Sequence, residues 1–499
     1  MFPGTISKGL SRRFQCLRLR KSCRYEDENG DQLFTYRNEG TGTRLLLSLE
    51  VALSQSRYFL DSGLCQPISW NSIARPSTPD DILCLLGSQE DIDVVYSLFF
   101  SGIHQWLPIL SPKKIIQRLR DGVSCFDVHF SLLVLSMKVL GTSPNKLPQV
   151  IAFSLYLKAK EVAGELETRG LVSLELLQSL TLICVYEIGH GLHPAAFVQV
   201  ARVARLAMLM GLANRDKKQL FEMPDTWTAR EEERRIWWAI MLLDRFLNLG
   251  VTGLPLATPK PTNRDLLPCT EDGWDSGQVS INYPLFVDRI EADLPIGLFA
   301  HTCQAAHLLG NVIQHRDGDP QFTDRQSILL EAVQLHQALV SLGTYLNDKI
   351  LVENDFEKNH IFAFALVCSA RFTLYDIYGC NEHDSTSRIA EEISMQQTSL
   401  IGLYEVVDKM AYVSRQILRF ASVADDRSLF QVNPLFCQCI YLAITECAWI
   451  YREEKSSDRA AQLREMIEIL QALGRVWRTV DGFMELLKQD GILFEIGHT

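Results

Sequence analysis

Hydrophobic positions recur along most of the chain every three or four residues, the period of one face of an α-helix, and strict strand-like alternation is rare. Leu174, Leu177, Thr181, Cys184, Val185 and Ile188 share one such face, and Gly189 and Gly191 then supply the left-handed backbone freedom that ends a helix. Pro194 restarts the chain with a ring suited to a first helical turn. Phe197, Val200, Ala201, Ala204 and Met208 continue the spacing to a stop at Gly211, so the two segments predict a helical hairpin. A further helix is predicted from Thr228, whose spacing to Glu231 fits a capping box, with Glu231, Glu232 and Glu233 in the first turn where the helix dipole favours negative charge. Its apolar face holds Ile236, Ile240, Leu243 and Leu247, flanked by Trp237 and Trp238, and it ends near Gly250 and Gly253. Segments 325–347, 359–378, 391–424, 434–453 and 458–488 read as additional amphipathic helices, and 264–295 as a long surface loop. No period of 20–50 residues repeats, which argues against a solenoid. Leu46, Leu49, Leu53 and Leu60 lie near heptad spacing, too short a run for a coiled coil. The fold class expected is all-α: a multi-helix bundle behind a short, basic, mostly unstructured N-terminal head.

Composition agrees with a large packed core. The 499 residues are 47% hydrophobic and 22% charged, which excludes a largely disordered chain. The longest uncharged stretch, 294–315, contains His301, His307, His315, Gln304, Gln314 and Asn311, so it reads as a buried helix of a soluble bundle and no membrane partner is expected. The N-terminus has no apolar run of signal-peptide length. The 13 cysteines are therefore expected to stay reduced, most of them, such as Cys184, Cys303 and Cys368, as small hydrophobes in apolar surroundings.

Charge divides the chain unevenly. Residues 1–25 hold Lys8, Arg12, Arg13, Arg18, Arg20, Lys21 and Arg24 and no acid; with a net −11 overall, the rest of the chain stands at −18. A compact basic head attracts nucleic-acid phosphates, and an acidic body repels them. The acidic run EDENGDQ at 26–32 separates the two.

Candidate chemistry is sparse. Cys16 and Cys23, with six residues between them among cationic neighbours, form a pair suited to zinc as thiolates, but they supply only two of the four ligands of a structural site. Arg13 stands where a C-x2-C partner would be needed, and the head has no histidine. His190 and His193 sit in the turn of the predicted hairpin with no acid or thiol placed to complete a metal shell. Cys437, Cys439 and Cys447 fall in an apolar helix. No nucleophile elbow, phosphate loop, dinucleotide fingerprint or H-E-x-x-H motif occurs, and an all-helical terpenoid-type enzyme lacks its paired-aspartate motif because Ile82, Leu83 and Cys84 follow Asp80 and Asp81. The sequence gives no support for an enzyme.

Four stretches in order resemble the fungal binuclear zinc-cluster transcription factors, specifically their helical middle region. YSLFFSGIHQWLPILSPKKI (96–115) is similar to the opening of that region, and LLQSLTLICVYEIGHGLHPAAFVQVARVARLAMLMGLANRD (176–216) to its central hairpin. REEERRIWWAIMLLDRFLNLGVTGLPLATP (230–259) resembles its most recognisable stretch, and LPCTEDGW (267–274) the loop that follows. In the family, six cysteines hold two zinc ions, roughly as C-x2-C-x6-C, a spacer, and C-x2-C-x6-C. Cys16-LRLRKS-Cys23-Arg-Tyr is similar to the last x6 pair, Arg13 replaces the preceding cysteine, and the first three cysteines have no counterpart. The resemblance thus implies a zinc cluster reduced to a remnant pair, Cys16 and Cys23, with zinc the only cofactor to consider; either the start of the chain is lost or the protein works without its own zinc module. The family's base-contacting residues lie in the missing half, so the DNA-binding residues are unknown.

The resemblance implies four regions: 1–25, a basic head; 26–90, a spacer with short helices; 91–295, the fungal-specific transcription factor domain; and 296–499, a helical region packing on it. It implies a nuclear regulator of RNA polymerase II transcription, pathway-specific, with DNA contact degenerate or supplied by a partner. Its expected partners are DNA, weakly or indirectly, other transcription regulators, and a second subunit in a homodimer or heterodimer. The alternative is a helical interaction or ligand-sensing protein without DNA binding. Trp237, Trp238, Asp244 and Arg245 are expected to pack and hold the fold, the last two by pairing with the GLPLATP turn.

Overall fold

The computed structural model describes residues 49–142, 149–262, 265–285, 295–318, 324–352, 360–379, 389–423 and 425–497. The basic head, with Cys16 and Cys23, lies outside the described residues, as does the acidic spacer at 26–32. Among the described residues helices dominate, and extended pairing is confined to three isolated bridges: Ile68 with Phe221, Ser77 with Asp127 and Leu266 with Pro284. The all-α reading of the body holds.

Three short helices, α1 (Leu49–Leu60), α2 (Asp80–Leu86) and α3 (Gln89–Ser101), lead to α4 (Pro112–Arg120) and α5 (Val128–Leu140). The central hairpin follows α6 (Gln149–Thr168) as α7 (Leu174–Gly189) and α8 (His193–Leu209), then α9 (Trp227–Leu247) and the short α10 (Glu271–Ser276). The remainder is α11 (Leu298–Arg316), α12 (Arg325–Val352), α13 (Ile361–Gly379), α14 (Ala390–Val423), α15 (Leu435–Glu454), α16 (Ser457–Leu473), α17 (Thr479–Gln489) and α18 (Ile492–Glu495).

The hairpin forms where its sequence places it. Ser173 caps α7 by accepting the Leu176 amide, and Gly191 turns the chain at φ +71°. Gly189 is needed for a different reason: a β-carbon there would stand 2.6 Å from the Trp477 indole, so its absence lets α7 meet the C-terminal region closely. The helix is not amphipathic, however. Every residue from Glu175 to Gly189 is buried, because α5, α6, α8 and α9 enclose it. On α8 the buried face is set by Ala196, Val200, Val203, Ala204 and Ala207, while Phe197, Ala201 and Met208 stand at its edge.

Packing then passes from α9 to α11 and from α11 to α13, with α12, α14 and α15 around α13 and α16 against α14 and α15. Helix α13 is long and apolar enough to cross a bilayer and is instead enclosed, so the amphipathic reading of 359–378 is corrected: it is a core helix. The predicted segment 458–488 is two helices, broken between Leu473 and Thr479 where Trp477 turns inward and donates to the Val432 carbonyl at 2.9 Å. The 264–295 segment is only partly a surface loop, since it carries α10 and buries Leu267, Cys269 and Trp274.

Candidate functional site

Among the described residues, a dense group of charged side chains surrounds the start of α9. Thr226 caps this helix, accepting the Ala229 amide at 3.2 Å, two residues before the cap expected at Thr228. The capping box fails because tertiary partners claim Glu231. Its carboxylate is fully buried and accepts the Cys269 amide (2.8 Å), the Asn282 amide (2.9 Å) and Arg235 Nε (3.1 Å). Arg235, equally buried, donates to the Cys269 carbonyl at 2.7 Å and lies 4.7 Å from the centre of the Trp274 ring.

The three consecutive glutamates point to three different partners, since each helical residue turns about 100° from the last. Glu231 anchors the 266–285 segment. Glu232 accepts Lys114 Nζ at 2.8 Å and the Ser111 amide at 3.3 Å, fixing α4. Glu233 pairs with Arg215 and lies between two cavities. Burial pushes the Glu233 carboxyl up to about 7 although Arg215 opposes it.

The larger cavity has a volume of about 630 Å³. Arg215, Arg230 and Arg234 bring charge to its wall, and Trp237, Trp238, Met223 and Leu266 bring apolar surface. Arg234 is held by Glu231, while Arg230 donates through Nε to the Pro224 carbonyl at 2.8 Å. One terminal nitrogen of Arg215 engages Glu233; the other, Nη1, is shielded from solvent and has no hydrogen-bond partner among the described residues. The smaller cavity, about 190 Å³, lies on the other side of Glu233. There Arg75 makes a two-pronged contact with Glu175 (3.1 and 3.2 Å) and reaches Asp127 at 3.2 Å. Burial works against the Glu175 charge, yet Arg75 and Lys114 hold its carboxyl below the usual range.

The far end of α9 is a clamp. Asp244, 1% exposed, accepts the Ala257 amide (3.0 Å), the Thr258 amide (2.8 Å) and the Thr258 hydroxyl (2.6 Å). Arg245 donates to the Pro259 carbonyl at 3.1 Å and to Thr258 Oγ1. Asp244 and Arg245 therefore fix the GLPLATP turn, as expected of a fold-holding pair, and Trp237 and Trp238 are packed at 6% and 2% exposure.

Other candidates separate. His190 closes α7 with its ring 4.2 Å from that of Tyr186, and burial lowers its pKa to about 3. Cys437, Cys439 and Cys447 are buried, and burial pushes the Cys439 and Cys447 thiols up to about 12. Among the described residues no three of His, Cys, Asp and Glu are grouped to hold a metal ion. The two-cavity arrangement was missed in the sequence because its charges come from 75, 114, 175, 215 and 230–234; the nearest signal was the Asn-Arg-Asp run just after Gly211.

Residues 96–311 match the family described as "Fungal specific transcription factor domain", over the span that carries α9, the clamp and much of both cavity walls. "Transcription factor BOA15" of Botryotinia fuckeliana (strain B05.10) is 31% identical over 185 residues, which is 36% of this chain and 98% of the relative. The chain belongs to this family. Family members matched over other extents include "Pigment biosynthesis transcriptional activator pigB" of Monascus ruber, 23% identical over 79% of this chain and 72% of that protein. "Arabinolytic transcriptional activator araR" of Emericella nidulans is 26% identical over 43% of this chain and 27% of its own length. Membership places the chain among fungal transcription regulators, and the stretches 176–216 and 230–259 that carry the resemblance are the ones that build α7, α8, α9 and the clamp.

Proposed function

We propose that this chain is a nuclear, pathway-specific regulator of RNA polymerase II transcription whose helical body is the regulatory platform and whose own grip on DNA is degenerate or supplied by a partner. The observation that carries the reading is the family match together with relatives named as a pigment biosynthesis transcriptional activator and an arabinolytic transcriptional activator. The weak DNA contact follows from charge: beyond residue 25 the chain stands at −18, which opposes approach to phosphates except through the basic head. Cys16 and Cys23 supply two ligands where a structural zinc needs four, so the pair does not fit a complete cluster. Partners in this reading are other regulators and a second subunit that brings base contacts. The buried glutamates and arginines of α9 hold loops and neighbouring helices in place, in keeping with a structural platform.

Zinc content of the purified protein and its binding to duplex DNA across a salt series test this directly. Less than two zinc ions per chain, with weak, steeply salt-dependent and sequence-indifferent binding, is expected. Two zinc ions per chain with tight sequence-specific binding would overturn the degenerate-contact reading. The −18 body also favours a second reading, a helical interaction or ligand-sensing protein without DNA contact. Deleting residues 1–25 tests the head's part in the first reading: a fall in promoter occupancy assigns the contact to its basic residues, and unchanged occupancy and output would remove the head from that reading.

A further inference from the structure

Helix α15 presents an exposed aromatic ring in an acidic setting. Trp449 is 40% exposed, with Glu446 one turn before it and Glu453 one turn after, so two carboxylates flank the indole along the helix. Helix α13 packs on α15 and brings the exposed Asp376 close enough for its charge to act on Glu446. The nearby cations are taken: Arg452 pairs with Glu495 at 2.9 Å, Arg459 with Asp408 and Glu454, and Lys455 lies over the Tyr451 ring. Asp376, Glu446 and Glu453 are left without an ion pair among the described residues. Helix α17, joined to α15 by the stacked rings of Tyr441 and Phe483, adds exposed Asp481, Glu485 and Asp490 against one cation, Lys488. The apolar surface continues onto α18, which Arg452 ties down through Glu495; Phe494, next to that bond, is 84% exposed. Exposed rings among uncompensated acids attract cations twice over, through the carboxylates and through the ring faces. The same charge repels the phosphates of nucleic acids and of anionic lipid surfaces.

We infer that this C-terminal face docks a basic amphipathic segment of a partner protein, its lysines or arginines on Asp376, Glu446 and Glu453 and its apolar side chains on Trp449 and Phe494. An amphipathic helix laid along α15 meets both kinds of group at once, because the acids and the indole alternate by single turns. The inference goes beyond the regulator reading and does not depend on it: the docking is measured on the purified chain, with no DNA present.

Isothermal titration of the full chain with an amphipathic leucine–lysine peptide of about four helical turns decides it. Two companions serve as comparisons, one with glutamate for every lysine and one with serine for every leucine. The leucine–lysine peptide is expected to bind about tenfold or more tightly than either. Glu446→Gln with Glu453→Gln should weaken it about tenfold, and Trp449→Ala by a similar factor. Glu90→Gln with Glu222→Gln, which removes the same charge at exposed positions on other elements, should leave the affinity unaltered. Should Trp449→Ala fail to fold by circular dichroism, Phe494→Ala carries the same expected loss. No heat with the leucine–lysine peptide, equal binding of either companion, or equal losses in the two double variants would each overturn the proposal. A dimer in sedimentation equilibrium that Trp449→Ala dissociates would assign the face to a second copy of the chain and overturn it as well.

Discussion

Glu446 sits on α15 with its carboxyl pushed up to about 7 by burial and by the neighbouring charge of Asp376. In the unfolded chain the same group titrates near 4.5, so the folded state holds the proton more tightly. Stability therefore falls as pH rises from about 4.5 to about 7 and is flat above. Removing the charge in Glu446→Gln is expected to raise stability relative to the parent by about 2 kcal/mol more at pH 8 than at pH 5, read from urea unfolding at both pH values. An equal difference at the two pH values would show that the carboxyl is not held neutral. Glu233 titrates in the same direction, and its pairing with Arg215 makes it the poorer reporter of the effect. His301 works the opposite way: burial beside His360, 3.1 Å away, lowers its pKa to about 3, so acid costs stability below its ordinary pKa of 6.5.

Helix ends show how far a single sequence carries. Gly189, Gly191 and Pro194 mark the α7–α8 turn in the sequence and form it in the fold, because backbone conformation at a turn is a local matter. The start of α9 is two residues off, because the Thr228–Glu231 spacing fits a local capping box whereas Glu231 is taken by Cys269 and Asn282 from a distant segment and by Arg235 one turn along the same helix. The Asp244–Arg245 clamp was legible since its partner turn lies only 13 and 14 residues away. The cavity walls were not, being assembled from positions separated by up to about 160 residues of chain; charge at each position alone reads as an ordinary solvated side chain. Full burial of α7 and α13 was equally invisible, since periodicity reports one apolar face and not how many neighbours surround a helix. Gly189→Ala tests the closest of these helix contacts. With 2.6 Å between a new β-carbon and the Trp477 ring, the variant should lose about 1–3 kcal/mol, measured by chemical denaturation. An unaltered midpoint would mean that α7 and Trp477 do not meet this closely.

From Leu46 on, the chain forms one compact unit. Several bonds tie its early and late parts: Trp106 donates to the Phe430 carbonyl at 2.9 Å, Gln431 to the Ser101 carbonyl at 3.1 Å, and Arg316 to the Leu249 carbonyl at 2.9 Å. Residues 91–295 expressed alone should accordingly be helical by circular dichroism but show no cooperative thermal transition, whereas 49–499 should unfold cooperatively; a sharp transition in the shorter fragment would refute the dependence. The bond between Trp106 and Phe430 spans 324 positions. A ribosome adding roughly 5–20 residues per second takes about 15–65 s to travel that distance. Throughout the interval the Trp106 indole has not yet met the Phe430 carbonyl, so this early segment of the nascent polypeptide completes its packing only when the C-terminal region follows.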